Sequence, residues 1–426
     1  MMVQAHGAGR SRAVRQAAPL LLTTLLAACA GTPPAPEAPE SAPIPSREPV
    51  RKPSPTPAPI PEAPRRPTPR PPAAVVAVPT PAPRPAISAE SRALLQHLLP
   101  AGIQDRADWA QDILTAFQWL RIPAEAENLC ATLAIIEQES SFQADPVVAG
   151  LDRIVWKEIE ARRERLHLPK LLVDAALAKN SPDGRSYKAR IDALRTERQM
   201  NALFEDMIAE IPFGRELLGG YNPVRTGGPM QVSVRFAEEH QRERGYPYPT
   251  RASVRSEVFT RRGGLYYGIA ILLDYPAPYT RPIYRFADFN AGRFSSRNAA
   301  FQNAVARLAR QELVLDGDLL RYTNGQPSDE TSSTQQTLYA LAPRLGLSRA
   351  ELNRDLRLEK TAAFAQSPLY QRVFTQADGL GPSLPRELLP RIDLHSPKIQ
   401  RKLTTAWFAE RVDGRYQRCL ERATRR

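Results

Sequence analysis

Apolar residues recur with the helical period through most of this 426-residue chain. Ile113, Ala116, Phe117 and Leu120 follow the i, i+3, i+4, i+7 pattern of an amphipathic helix. Pro123 then takes a first-turn position, with Glu125 and Glu127 near the positive end of the next dipole. That next helix is predicted to run to about Ser140, with Leu129, Leu133 and Ile136 on its apolar face. Residues 151–225 read as a long, charged, helix-rich insert. Its segments are Trp156 to Ile159, Lys170 to Lys179 and Tyr187 to about Ile211, with Asn180 to Gly184 as a turn. A helix follows Gln231 and covers Val234, Phe236 and Ala237. Tyr246 to Pro249 is loop. Leu265 to Leu273 is nearly all apolar and fits a buried helix or a buried strand. Ser296 is positioned to cap a helix whose stripe is Phe301, Val305 and Leu308. Three helix starts mark the last hundred residues: the capping box Ser348-x-x-Glu351, and Ser367-Pro368 and Ser396-Pro397. No stretch alternates with period two and no repeat is visible, so the predicted fold is mainly α.

The N-terminus carries a different message. Arg10, Arg12 and Arg15 precede a short apolar run, Ala17 to Ala28, too short for an ordinary membrane-spanning helix. It ends in Leu26-Ala27-Ala28-Cys29, which resembles the bacterial lipobox. The resemblance implies a signal peptide over 1–28, cleavage before Cys29 and acylation there. Acyl chains hold a protein on a membrane at about 0.8 kcal/mol per buried methylene. Ala30, rather than Asp, leans towards the outer membrane, facing the periplasm. Residues 29–87 are a Pro- and Ala-rich tract with about half of the 42 prolines. It cannot bury a core. At roughly 3.1 Å per residue such a tether reaches on the order of 170 Å.

About 340 residues remain for folded structure. Their expected division is a domain over 88–330, holding the insert, and a C-terminal helical extension over 331–426. With Cys29 assigned to the lipobox, Cys130 and Cys419 are left, and an oxidising periplasm allows them to pair. The net charge of +13 suits an anionic partner: cell-wall polymer, lipid headgroups or nucleic acid. Export argues against nucleic acid. Solvated Arg-rich helix faces also account for the charge without any partner.

At 100° per residue, Leu129, Leu133, Ile136 and Glu139 share one face of their helix. Gln138 points away and Glu137 lies on the flank. A carboxyl on the apolar side loses hydration, which raises its pKa and keeps it protonated near neutral pH. That is what a general acid for glycosidic cleavage requires. A plainer account makes Glu139 a helix-end carboxylate paired with an arginine.

Three phrases in order shift the balance: Glu139-Ser140-Ser141-Phe142, Gly228-Pro229-Met230-Gln231, and Phe289-Asn290-Ala291-Gly292. Together they resemble the core of lytic transglycosylases and goose-type lysozymes over roughly residues 124–310. The resemblance implies a lysozyme-like helical domain with Glu139 as the sole acid/base. It implies substrate contacts from Ser140, Met230, Gln231, Phe289 and Asn290. Pro229 stands where the family has Leu, and Phe289 where it has Tyr. Tyr322 is the candidate for the family's late tyrosine. The insert is longer than the family's usual link. The whole layout also looks like a group of uncharacterised proteobacterial lipoproteins.

In the implied mechanism Glu139 protonates the oxygen joining MurNAc to GlcNAc. It then takes the proton of the MurNAc C6 hydroxyl, and internal attack leaves a 1,6-anhydro end. A lysozyme would instead need a water-activating carboxylate, for which Asp145 and Asp288 are the nearest candidates. No cofactor is called for. The chain lacks His-Glu-x-x-His, Cys-x-x-Cys, Gly-x-Ser-x-Gly and phosphate-binding Gly-rich loops, so no metal site is expected either. Two classes survive: a peptidoglycan-cleaving lipoprotein, and a non-catalytic wall-binding or scaffolding lipoprotein with a degenerate cleft.

Overall fold

A computed structural model describes residues 86–250, 253–323, 325–394 and 403–425. Cys29, the Pro-rich tract and Ser396-Pro397 lie outside them. The chain is mainly helical, as expected. It opens with α1 (Ala89–Leu98), α2 (Arg106–Leu120) and α3 (Ala126–Ser140). The insert holds α4 (Leu151–Arg165), α5 (Lys170–Leu177), α6 (Tyr187–Asp192), α7 (Glu197–Ala209) and α8 (Gly214–Leu218). A two-stranded hairpin of β1 (Thr226–Gly227) and β2 (Val232–Ser233) leads into α9 (Val234–Arg244), α10 (Val254–Val258), α11 (Arg261–Leu273) and α12 (Ile283–Ala291). Then come α13 (Ser295–Ala309), the short pair β3 (Tyr322–Thr323) and β4 (Gln326–Pro327), α14 (Ser333–Leu345), α15 (Arg349–Leu356) and α16 (Pro368–Asp378). A last pair, β5 (Asp393–Leu394) and β6 (Leu403–Thr404), precedes α17 (Thr405–Thr424).

The ambiguous apolar run 265–273 is helical, within α11. The predicted run from Tyr187 to Ile211 is broken between α6 and α7, where Thr196 and Gln199 form a capping box. Ser348 and Glu351 form the predicted box, and Ser367 caps α16 through the Tyr370 N–H.

Three cores form. In the first, α3 is central: every residue from Leu129 to Ile136 is buried. A helix buried on all sides belongs inside a core, not on its surface. α1 and α11 pack on it, and so does α17 from the far end of the chain. Cys130 and Cys419 form a disulfide between α3 and α17, with Cα atoms 5.5 Å apart. It closes a span of 289 residues, and such a cross-link contributes about 2–4 kcal/mol. The insert has its own core of α4 to α7, which Phe259 joins. The third core is built by α13 to α16. The cores therefore cut across the expected boundary at 330. α13 belongs with the C-terminal helices, whereas α17 returns to the first core.

The third core contains a buried carboxylate. Glu359 is fully buried and accepts the Tyr322 hydroxyl and the Leu319 N–H. Tyr322 is thus committed to Glu359, and its ring lies under Lys360 at 3.5 Å. Burial pushes the Glu359 carboxyl up to about 7, against the pull of Tyr322. A raised carboxyl binds its proton more tightly folded than unfolded, so stability falls as pH rises from about 4.5 to about 7. The loss across that window is on the order of 3 kcal/mol. Glu359→Gln is expected to flatten the fall of the thermal midpoint there. An unchanged slope would show that another group causes it.

Candidate functional site

Glu139 lies in the last turn of α3 and is half-buried, while Leu129, Leu133 and Ile136 on the same face are buried. Gln138 does not point away into solvent. It is also half-buried, with its Oε1 enclosed and unpartnered. The physical reason is that α3 is covered on more than one side. Glu137 keeps 43% of its side chain exposed, and Arg415 Nε of α17 lies 3.3 Å away. That ion pair lacks hydrogen-bond alignment. Ser140 is buried and donates its hydroxyl back to the Ile136 carbonyl at 3.0 Å, so that hydroxyl serves the helix. α3 ends in two consecutive left-handed residues, Ser141 (φ 48°) and Phe142 (φ 62°). Non-glycine residues are held there at a cost of roughly 1–3 kcal/mol each, and such strain gathers at functional turns.

The second phrase forms the tip of the β1–β2 hairpin. Gly228 has φ +72°, and a Cβ there would meet the Val258 carbonyl at 2.2 Å. The hairpin seats on the glycine face of α11. A Cβ on Gly264 would meet Pro229 at 2.4 Å, and one on Gly268 would meet Met230 Sδ at 2.5 Å. Met230 is fully buried in this groove. The expectation that it touches substrate is therefore corrected: its side chain packs the hairpin onto α11. Gln231 is left-handed (φ 49°) and half-buried. Its Nε2 donates to Glu197 Oε2 of α7 at 3.0 Å, and its Oε1 accepts from the Thr226 hydroxyl at 3.3 Å.

The third phrase ends α12. Phe289 is half-buried against the first core. Asn290 is exposed, and its Oδ1 accepts the Thr405 hydroxyl at 2.9 Å. Asp288 is fully buried. Its Oδ2 accepts from Tyr279 Oη (2.6 Å), Tyr275 Oη (3.0 Å) and the Phe294 N–H (2.8 Å), and its Oδ1 accepts the Ser296 N–H (2.7 Å). Burial pushes this carboxyl up while those donors pull it down. It caps α13, a role expected of Ser296, and its carboxylate is enclosed by these donors. Asp145 is likewise occupied: Oδ2 takes the Thr196 hydroxyl at 3.0 Å and lies 2.8 Å from Arg198.

Two residues that sequence reasoning missed stand beside the motifs. Glu197 reaches Gln231, and Thr405 reaches Asn290. α7 is also tied to the segment that follows Glu139: Asp145 holds Thr196 and Arg198, Val148 N–H donates to the Arg195 carbonyl at 2.8 Å, and Val147 bridges Thr196. The segment 145–148 that follows the first phrase and Gln231 of the second thus share the start of α7. α3 and Asn290 both meet α17, but at different places along it: Arg415 and Cys419 for α3, Thr405 for Asn290. The Thr196-x-x-Gln199 box was the local signal that could have placed the start of α7. Nothing local marks Thr405. Among the described residues, no group of three or more His, Cys, Asp or Glu side chains could hold a metal ion. No described helix is long and apolar enough to cross a membrane.

A helical domain with an embedded insert and a returning C-terminal helix defines the class, and the chain belongs to the DUF1615 family, described as a protein of unknown function. The family profile matches residues 102–422, so it takes in all three phrases, the insert and most of α17. A relative from Escherichia coli (strain K12), "Uncharacterized protein YaiW", is 50% identical over 330 residues, or 77% of this chain and 89% of the relative. No solved structure matches the chain.

Proposed function

We propose that this protein cleaves peptidoglycan glycan strands as a lytic transglycosylase, with Glu139 as the single acid/base. The observation that carries this reading is the shared neighbourhood of the phrases. The start of α7 and its cap Thr196 touch both the Gln231 turn and Asp145 in the segment that follows Glu139. α17 touches both Asn290 and α3. The occupied states of Asp145 and Asp288 favour a one-carboxylate mechanism over water activation by either. Glu139 would protonate the leaving oxygen and then accept the C6 hydroxyl proton, so that the glycan supplies its own nucleophile. Mass analysis of products released from sacculi tests this, with 1,6-anhydro-MurNAc ends as the expected outcome.

The second reading, a wall-binding or scaffolding protein, is favoured by one observation: α17 engages Asn290 through Thr405. Under it the protein binds sacculi and releases nothing.

The same proposal places the chain on the outer membrane, anchored through acylated Cys29 and facing the periplasm. Cys29→Ala is expected to abolish acyl labelling and move the protein to the soluble fraction. Labelling and membrane association that persist in the variant would sink the anchor.

A further inference from the structure

Neither the insert nor the tail belongs to the three motifs, yet each places one side chain on a motif amide. Glu197 is the first residue of α7, and its carboxylate accepts Gln231 Nε2 at 3.0 Å. A carboxylate can only accept. It therefore turns the Gln231 nitrogen towards it, an orientation that the Gly228 carbonyl also favours by accepting Nε2 at 3.4 Å. Nitrogen is turned to Glu197, and Oε1 takes Thr226 with one lone pair to spare. The anchor is firm. Thr196 caps α7 in a full capping box, and Asp145 holds both Thr196 and Arg198. A carboxylate in the first turn of a helix is also favoured by the dipole.

The tail does the converse at Asn290. Thr405 is fully buried, and its hydroxyl donates to Asn290 Oδ1 at 2.9 Å. Its own N–H is spent on the Ile392 carbonyl at 3.0 Å. With Oδ1 occupied, Asn290 presents its Nδ2 donors. The hairpin thus offers an acceptor and the α12 end offers a donor. Polymers of acetamido sugars carry partners for both.

We propose that Glu197 and Thr405 are positioning residues of the glycan site, so that insert and tail are part of its construction and not appendages. This rests on the glycan reading above. It differs from that reading in assigning to the insert and tail the orientation of Gln231 and Asn290.

The test measures binding of purified, peptide-free glycan strands to the full chain in a Glu139→Gln background, where cleavage does not interfere. Thermal midpoints are recorded alongside. Glu197→Ala and Thr405→Val are each expected to weaken binding roughly five- to tenfold, the scale of one hydrogen bond's net contribution, with midpoints within a few degrees of the parent. Glu197→Gln, whose Oε1 can still accept from Gln231, should recover most of the affinity. Parent-like affinity in both Glu197→Ala and Thr405→Val overturns the inference and leaves the glycan reading standing. Affinity and midpoint that fall together also overturn it, because the residues would then be structural only. If the parent binds no strands and the wild type cleaves none, the glycan reading fails and the inference falls with it.

Discussion

Glu139→Gln is expected to remove release of glycan fragments from sacculi while leaving the fold and wall binding intact. Gln is nearly isosteric with Glu but cannot donate a proton and take it back. Acid–base assistance by one positioned group is typically worth ~10²–10⁴-fold in rate, so the loss should be plain in any product assay. Glu139 is half-buried at the end of α3, and Gln keeps its size and can still accept a hydrogen bond there. Glu137→Gln is the control. Its side chain is 43% exposed, and its ion pair with Arg415, whose side chain is 17% exposed, lacks hydrogen-bond alignment. Pairs of that kind contribute about 0–1 kcal/mol, so activity should persist. If the wild type and both variants bind sacculi equally and release nothing, the scaffolding reading replaces the catalytic one. Reducing MurNAc ends from the wild type would point to hydrolysis instead.

Much of the helical framework was legible from the sequence because its signals are local. The stripe Ile113, Ala116, Phe117 and Leu120 gave α2, and Ser348-x-x-Glu351 and Ser367-Pro368 marked two helix starts. What escaped depends on partners far along the chain. Leu265 to Leu273 is ambiguous by its length and its Gly268; that glycine and Gly264 just before the run serve a hairpin some 35 residues earlier, Gly264 receiving Pro229 and Gly268 receiving Met230. The same contact explains why Met230 is core. α13 looked capped by Ser296, but the capping oxygens come from Asp288, buried eight residues upstream. Gln138 would face solvent only if α3 were amphipathic, whereas a further helix packs on α3. That helix, α17, is brought there by long-range packing and Cys419, which no spacing rule predicts. The motif residues were legible as types in order. Their neighbours Glu197 and Thr405 were not, because hydrogen bonds to an insert and a tail leave no period in the sequence.

Asp288→Ala is expected to cause the largest loss of stability of any single change considered. The substitution strands two tyrosine hydroxyls and two backbone N–H groups, all of which now donate to one buried carboxylate. Leaving a buried donor unsatisfied costs about 1–3 kcal/mol, and the side-chain cap of α13 is lost as well. Water entering the cavity offsets part of this, so a net loss on the order of 4–5 kcal/mol is expected. Asp288→Asn separates the contributions. Its Oδ1 can still accept the Ser296 N–H, and Tyr275 and Tyr279 can rotate their hydroxyls to accept from the new NH₂. The Phe294 N–H has no such freedom and would face a donor. The two tyrosine O–H groups also lose their acceptor when they turn, so the Asn variant should lose more than the roughly 1–3 kcal/mol of a single stranded donor, but less than the Ala variant. Chemical denaturation of the two variants and the wild type measures both values. A loss below about 1 kcal/mol in the Ala variant would mean that the carboxylate is not the hub of this hydrogen-bond network. The Asn variant also decides the remaining catalytic question about this residue. If it folds and still yields the wild-type products at the wild-type rate, Asp288 takes no part in the chemistry. A folded Asn variant that binds strands but cleaves at least a hundredfold more slowly, the low end of general-base assistance, would restore it as a water-activating base.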